Sequence, residues 1–175
     1  AIWHYPKGMA YLGKKDISNA QKEVEALSAL AVNPTLQDLT VWDINTTADL
    51  VQIALKVLQS GIAIKQKQTD QGIALLKEAI DLEDNLNYNE PPDWFFSIRH
   101  HLGAALLNAG KYGEAQKIYL QDLQTWKKNG WALTGLYQSL LKQNKNKQAD
   151  KIKVALDKAW QYADFTLTSS SEIMQ

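Results

Sequence analysis

Residues 102–123 read LGAALLNAGKYGEAQKIYLQDL, and small residues recur in this stretch at the spacing of a helix pair. Gly103 lies twelve residues before Ala115, and Gly110 lies between them, where a turn is expected. A small residue on each of two antiparallel helices lets their backbones approach closely. Tyr119 and Leu123 are then available to fill the rest of the seam. The stretch therefore predicts a tightly packed pair of helices joined by a short turn.

The same arrangement recurs along the chain. Residues 97–125 shifted forward by 34 match residues 131–159 without gaps; for example, Lys111 falls on Lys145 and Ala115 on Ala149. Pairs of small residues twelve apart also occur earlier, as Gly8 with Ala20 and Ser60 with Gly72. Because helical periodicity dominates and β-branched alternation is almost absent, the chain is expected to be helical throughout. The predicted helices cover about residues 2–13, 16–31, 47–66, 70–86, 93–109, 112–126, 130–143 and 146–163.

This 34-residue pattern resembles the tetratricopeptide repeat (TPR) family, whose unit is a helix–turn–helix of that length. The Leu-Gly pair, the Gly-Lys turn and the Ala-x-x-x-aromatic step of residues 102–123 carry the resemblance most clearly. The family implies an all-α fold, a right-handed superhelical array of about four TPR-like pairs. The resemblance covers residues 2–163 as units at about 2–34, 47–86, 93–127 and 129–163, and it leaves 164–175 as a C-terminal tail. The fourth unit departs from the pattern, since Tyr137 stands where the first-helix glycine is expected and Gly135 comes two residues earlier.

Three shorter segments, YNEPPDW, NGWALTGL and AWQYADFTLTSS, are also similar to the C-terminal region of a group of uncharacterised bacterial TPR proteins. That likeness implies no particular activity.

The composition narrows the classes of function. Nineteen basic and nineteen acidic residues cancel, and Arg99 is the single arginine. A nucleic-acid partner is not expected, because it would require a clustered basic excess. The absence of cysteine excludes disulfides, thiolate nucleophiles and cysteine-based metal sites. No apolar run approaches 18 residues, so no membrane insertion is expected. We interpret the sequence, which starts without a methionine or a leader, as a fragment or processed product of the cytoplasm or periplasm.

Several motifs with catalytic associations have simpler interpretations. Residues 8–15, GMAYLGKK, nearly match a phosphate-binding loop, but Lys15 replaces the required hydroxyl and the preceding residues are predicted to be helical. We expect a turn between helices there, with Gly13 as the left-handed residue.

The adjacent His100 and His101 point about 100° apart on a helix, which does not favour a shared metal ion. Asp93 is expected to cap a helix. We therefore predict no enzyme, no catalytic residues, no metal site and no cofactor.

The resemblance to the TPR family also suggests where a ligand would bind. The first helices of stacked pairs line the concave surface of such arrays. In the 34-residue register, aromatic, apolar and amide side chains face this groove. The residues predicted to bind a peptide there are Tyr5, Met9, Ser97, His100, Asn108, Trp131, Thr134 and Gln138. Asn108 and Gln138 are expected to hold the peptide backbone. The lysine and asparagine pairs with which some TPR domains clamp acidic chain ends are absent, so that mode of binding is rejected.

These observations lead to three hypotheses about function. The first is a protein–protein interaction scaffold that binds a peptide or partner protein in the groove without catalysis. The second is a C-terminal capping segment of a longer TPR array, which docks intramolecularly or self-associates; the lysine-rich last helix favours it, because a terminal repeat needs a polar outer face. The third is an enzyme or a ligand-binding accessory. The sequence does not identify the partner.

Overall fold

The computed structural model describes residues 3–174, and this part of the chain is an all-α protein of about nine helices packed as sequential antiparallel pairs. The helices are α1 His4–Gly13, α2 Ile17–Ala31, α3 Thr35–Asp38, α4 Thr47–Lys65, α5 Thr69–Asp84, α6 Ile98–Asn108, α7 Tyr112–Thr125, α8 Gly130–Lys142 and α9 Asn146–Ala159. A minimal antiparallel hairpin, β1 Thr40–Val41 and β2 Asn45–Thr46, precedes α4, and a 3₁₀ turn covers Glu172–Met174.

The chain forms two compact units that divide between Ile98 and Arg99. The first unit contains α1 to α5 and the connection that follows them. The second contains α7 to α9, nearly all of α6 and the segment after α9.

Four helix pairs share one turn geometry. The turns between α1 and α2, α4 and α5, α6 and α7, and α8 and α9 each contain one residue with positive φ. These residues are Lys15, Lys67, Gly110 and Asn144, with φ of 60°, 65°, 73° and 57°. In every case its N–H donates to the carbonyl three residues back, and the next N–H donates to the carbonyl five residues before it, at 2.8–3.1 Å. This is the Schellman motif, which satisfies the last carbonyls of the first helix.

Small residues make close contacts, although their neighbours differ from pair to pair. A Cβ built on Gly72 of α5 would lie 3.1 Å from the main-chain oxygen of Ser60 in α4, as their predicted pairing requires. A Cβ on Gly8 of α1 would lie 2.5 Å from Leu58 of α4, so Gly8 makes room for a helix of the following pair. The expectation that Gly13 adopts the left-handed conformation is wrong, because Gly13 is the last residue of α1 and the positive φ falls on Lys15.

The connections differ more from the predictions than the helices do. The segment before α4 contains α3 and the hairpin, neither of which was expected. The helix predicted from residue 93 begins at Ile98, and Asp93 does not cap it. The carboxylate of Asp93 instead accepts hydrogen bonds from Asn45 at 2.7 Å and Asn89 at 2.9 Å. Asp93 therefore ties this connection to the hairpin.

The helix α4 is the one described helix whose length and apolar composition would suffice to cross a membrane. Its most apolar stretch is mostly buried inside the protein, however. The core helix of a water-soluble fold has these properties.

Candidate functional site

The chain continues beyond α9 as an irregular segment, residues 164–174, which we call the tail. Ser169, Ser170 and Ser171 are buried, and the side chain of Met174 is completely buried. These residues therefore pack into the protein, although the 3₁₀ turn is the regular structure they contain. Polar groups buried away from water require hydrogen-bond partners. The tail makes such hydrogen bonds with residues of α6, α7 and α8.

Tyr119 of α7 provides the most deeply placed of these contacts. Its side chain is fully buried and lies against Gly103 of α6 and Gly135 of α8. A Cβ at either glycine would come within 2.2 Å of the ring, so both positions must lack a side chain for the ring to fit. The phenol oxygen lies 2.6 Å from Oγ of Ser170.

The direction of that hydrogen bond follows from the partners of Ser170. Its hydroxyl donates to the main-chain carbonyl of His100 at 2.8 Å. A hydroxyl has one proton to donate, so Ser170 must accept from Tyr119. Burial raises the pKa of Tyr119, and the phenol therefore remains a donor.

His101 contacts the next tail residue. Its Nδ1 lies 2.8 Å from Oγ of Ser171. Burial, with a smaller contribution from the neighbouring His100, lowers the pKa of His101 to about 3. The ring is therefore neutral near pH 7, and no charge is buried against the serine.

Two amide side chains hold the main chain of the tail. Gln138 of α8 donates from Nε2 to the carbonyl of Thr168 at 2.6 Å. Asn108, the last residue of α6, donates from Nδ2 to the carbonyl of Met174 at 3.0 Å. Together with His101 and Tyr119, these residues form what we call the tail-binding face.

The structure places the other predicted groove residues of this unit elsewhere. The side chain of His100 is buried, and its Nε2 lies 3.1 Å from Oδ2 of Asp122 in α7. Thr134 is buried and donates to the carbonyl of Gly130 at 2.8 Å. Trp131 is partly exposed and packs edge to face on Trp160, with ring centroids 4.9 Å apart.

These two tryptophans border an open cavity of about 600 Å³ at the start of α8 and the end of α9. The cavity walls also include Trp126, Lys127 and Lys128. The start of α8 is already capped by Asn129, whose side chain accepts from the N–H groups of the two residues that follow Gly130. An anion would therefore find fewer unpaired donors there than at an open helix start.

Tyr5, Met9 and Ser97 belong to the first unit. Tyr5 and Met9 of α1 are buried, and Ser97 is half-buried just before α6. The ring of Tyr5 packs against Trp94, with centroids 5.3 Å apart, and against Phe95 at 6.5 Å. The connection after α5 thus supplies the aromatic neighbours of this predicted groove residue.

A buried carboxylate also links the first two helices. Glu23 of α2 is 6% exposed and lies 2.7 Å from Nζ of Lys7 and 2.6 Å from Nδ1 of His4. The hydrogen bond from Lys7, followed by that from His4, lowers the pKa of Glu23. This cluster fastens α1 to α2. Within residues 3–174, no three histidine or carboxylate side chains are grouped as a metal ion requires.

The sequence matches no protein-family model and no curated protein. The assignment of a site therefore depends on the geometry alone.

Two members of the tail-binding face were missing from the predicted groove. His101 was missed because the register favoured its neighbour His100 for the groove. Tyr119 was assigned to the seam between helices, which it fills while its hydroxyl extends to the tail. The glycines at 103 and 135 were the available signal, because two helices with glycine at facing positions leave room for a large ring between them.

Proposed function

We propose that this chain is a non-catalytic interaction module that binds an irregular peptide segment of a partner protein on the tail-binding face. One observation supports the proposal above all: this face already holds such a segment, residues 168–174 of the same chain. Gln138 and Asn108 donate to main-chain carbonyls, and any peptide with the same backbone path offers these acceptors. The binding mode is therefore available to a segment of another protein.

The contacts at the two ends of the bound tail segment favour its exchange for another peptide. Asn108 is exposed and Gln138 is half-buried, so both outer contacts lie close to water. The start of the tail and the residues before it are open as well, since Phe165 is 54% exposed and Tyr162 is 93% exposed. An intramolecular segment competes at a high effective concentration, commonly in the millimolar range for short flexible linkers. A partner must overcome this competition, so we expect weaker binding to the intact chain than to a chain whose tail has been released.

The second candidate function is a C-terminal capping segment whose tail docks permanently. Ser170 and Met174 are as thoroughly buried as core residues, with exposures of 1% and 0%. The helix α9 supports the same interpretation, because Ala149 is its one buried residue. A cap needs a polar outer surface, and α9 provides one.

A chain that can be cleaved between α9 and the tail distinguishes these functions. A protease recognition sequence inserted after Tyr162 lies in an exposed stretch, so the protein can fold with its tail before cleavage. After cleavage, binding of a fluorescently labelled peptide of residues 163–175 is followed by anisotropy. Circular dichroism establishes that the cleaved chain remains folded, and a scrambled peptide of equal composition serves as the control.

An interaction module should release its tail on dilution and bind the labelled peptide saturably, while the uncleaved chain binds it much more weakly. A permanent cap should keep the cleaved tail bound through size-exclusion chromatography and exchange none of it. A folded, cleaved chain that has lost its tail and binds neither peptide would contradict the proposed function.

A further inference from the structure

We infer that the tail-binding face selects partner segments that carry two adjacent small hydroxyl residues followed, three positions later, by an apolar residue. In the tail these are Ser170, Ser171 and Met174. The inference rests on the proposed function and specifies the class of peptide that the face binds.

The first hydroxyl position is set by Tyr119. The ring cannot shift toward α6 or α8 without leaving its place between Gly103 and Gly135, so its hydroxyl is a fixed donor. Ser170 accepts from that hydroxyl and donates to the carbonyl of His100. A side chain here must therefore be both acceptor and donor. It must also be small, because Ser170 is 1% exposed. Alanine would leave the buried phenol without its acceptor, which costs free energy.

The second hydroxyl position is set by His101. Its Nδ1 lies 2.8 Å from Oγ of Ser171, and both side chains are buried. A charged residue in place of Ser171 would bring an unpaired charge into a buried site, which is strongly unfavourable. An aliphatic residue would leave the imidazole nitrogen without this partner.

The apolar position is occupied by Met174, whose side chain is completely buried. Asn108 donates to the carbonyl of the same residue, so the backbone is held where the side chain enters the protein. Gln138 at the other end donates to the main-chain carbonyl of Thr168. Main-chain contacts carry no sequence information, so these amides supply affinity. The serines and the methionine supply the selectivity.

The test is a competition assay on the full chain after cleavage of the inserted site described above. Unlabelled peptides of residues 163–175 displace the labelled natural peptide, and their dissociation constants are compared. Ser170→Ala should weaken binding by about 10- to 100-fold, because the hydrogen bonds of Ser170 to Tyr119 and to the carbonyl of His100 are both lost and the buried phenol is left without this acceptor. Ser171→Ala and Met174→Ser should each weaken it by about 10-fold or more. Thr166→Ala, at an exposed position, is the matched control and should change it by less than about twofold.

A protein variant tests whether the selectivity acts through the phenol. Tyr119→Phe keeps the ring between the two glycines and removes its hydroxyl. In this variant the penalty for Ser170→Ala should fall to less than about fivefold, a coupling that a purely structural role of the ring would not produce. Binding of all the peptides within about twofold of one another would overturn the inference and leave the proposed function standing. A failure of every peptide, the natural one included, would overturn both.

Discussion

A methyl group at position 135 should destabilise the protein, although alanine is ordinarily a better helix former than glycine. A Cβ on Gly135 would lie 2.0 Å from Cζ of Tyr119, far inside van der Waals contact. The same ring atom also lies close to Gly103, since a Cβ added there would come within 2.2 Å of it, so the ring is packed tightly against both helices and has little room to move away. Overpacking of this kind costs about 1–3 kcal/mol.

Two further contributions to the free energy of unfolding are similar in size and opposite in sign, so they roughly cancel. Displacement of the ring also breaks the hydrogen bond between Tyr119 and Ser170, which contributes about 1 kcal/mol. The gain in helix propensity from glycine to alanine is about 1 kcal/mol in the opposite direction. The free energy of unfolding of Gly135→Ala should therefore fall by about 1–3 kcal/mol.

Urea denaturation followed by circular dichroism measures this change. Gly113→Ala in α7 is the matched control, because the nearest atom to its Cβ is a flexible side-chain oxygen 3.9 Å away. That variant should be as stable as the parent or more stable by up to about 1 kcal/mol. Tyr119→Leu removes the ring atoms that lie against Gly135, so Gly135→Ala should cost much less in its presence. An equal cost with and without the ring, or a Gly135→Ala protein as stable as Gly113→Ala, would refute the reasoning.

Two further predictions concern other contacts. Asn45 is buried and makes three hydrogen bonds to residues 87–93. Asn45→Ala should therefore lower the free energy of unfolding by about 2–3 kcal/mol in the same urea assay. A loss below about 0.5 kcal/mol would contradict this role of Asn45. His101 takes up a proton near pH 6.5 when unfolded but only near pH 3 when folded, so stability should fall as the pH drops through this window, by about 2 kcal/mol at pH 5. All other ionisable groups are common to the parent and to His101→Gln, so the part due to His101 is the difference between the two pH profiles. Identical profiles would exclude it.

The helices could be predicted from sequence because their signal is local and repeated. Small residues at Ser60 and Gly72 marked a close pair. Apolar periodicity located the eight helices of the four pairs to within a few residues, apart from the late start of α6 and the early end of α9, but it did not predict α3. The left-handed turn residues were harder to predict, since only one of the four is glycine. Lys15 adopts positive φ because the Schellman hydrogen bonds require it at that position, and this outweighs its own preference.

The tail could not be predicted from local patterns. Its partners lie far away in the sequence: Ser171 contacts His101 and Ser170 contacts His100, each 70 residues apart. A serine-rich stretch has no periodicity that would indicate burial. Its burial depends on buried donors and acceptors that only the assembled helices supply.

The choice between two adjacent histidines shows the limit of a repeat register. Neighbouring residues on a helix differ by about 100° in direction, so a small error in the register exchanges them. The register assigned His100 to the groove, whereas in the structure His101 contacts the tail and the side chain of His100 lies on Asp122. The amides Asn108 and Gln138 were expected to hold a peptide backbone, and each contacts a carbonyl of the chain's own tail.

The close packing of Tyr119 against Gly103 and Gly135 limits which substitutions this sequence can accept during evolution. The tyrosine lies sixteen residues from each glycine, and the three positions share one volume. Descendants of this gene that acquire a side chain at either glycine should also carry a shorter residue at 119, and those that keep the tyrosine should keep both glycines. The substitutions at these three sites should therefore be correlated across evolution.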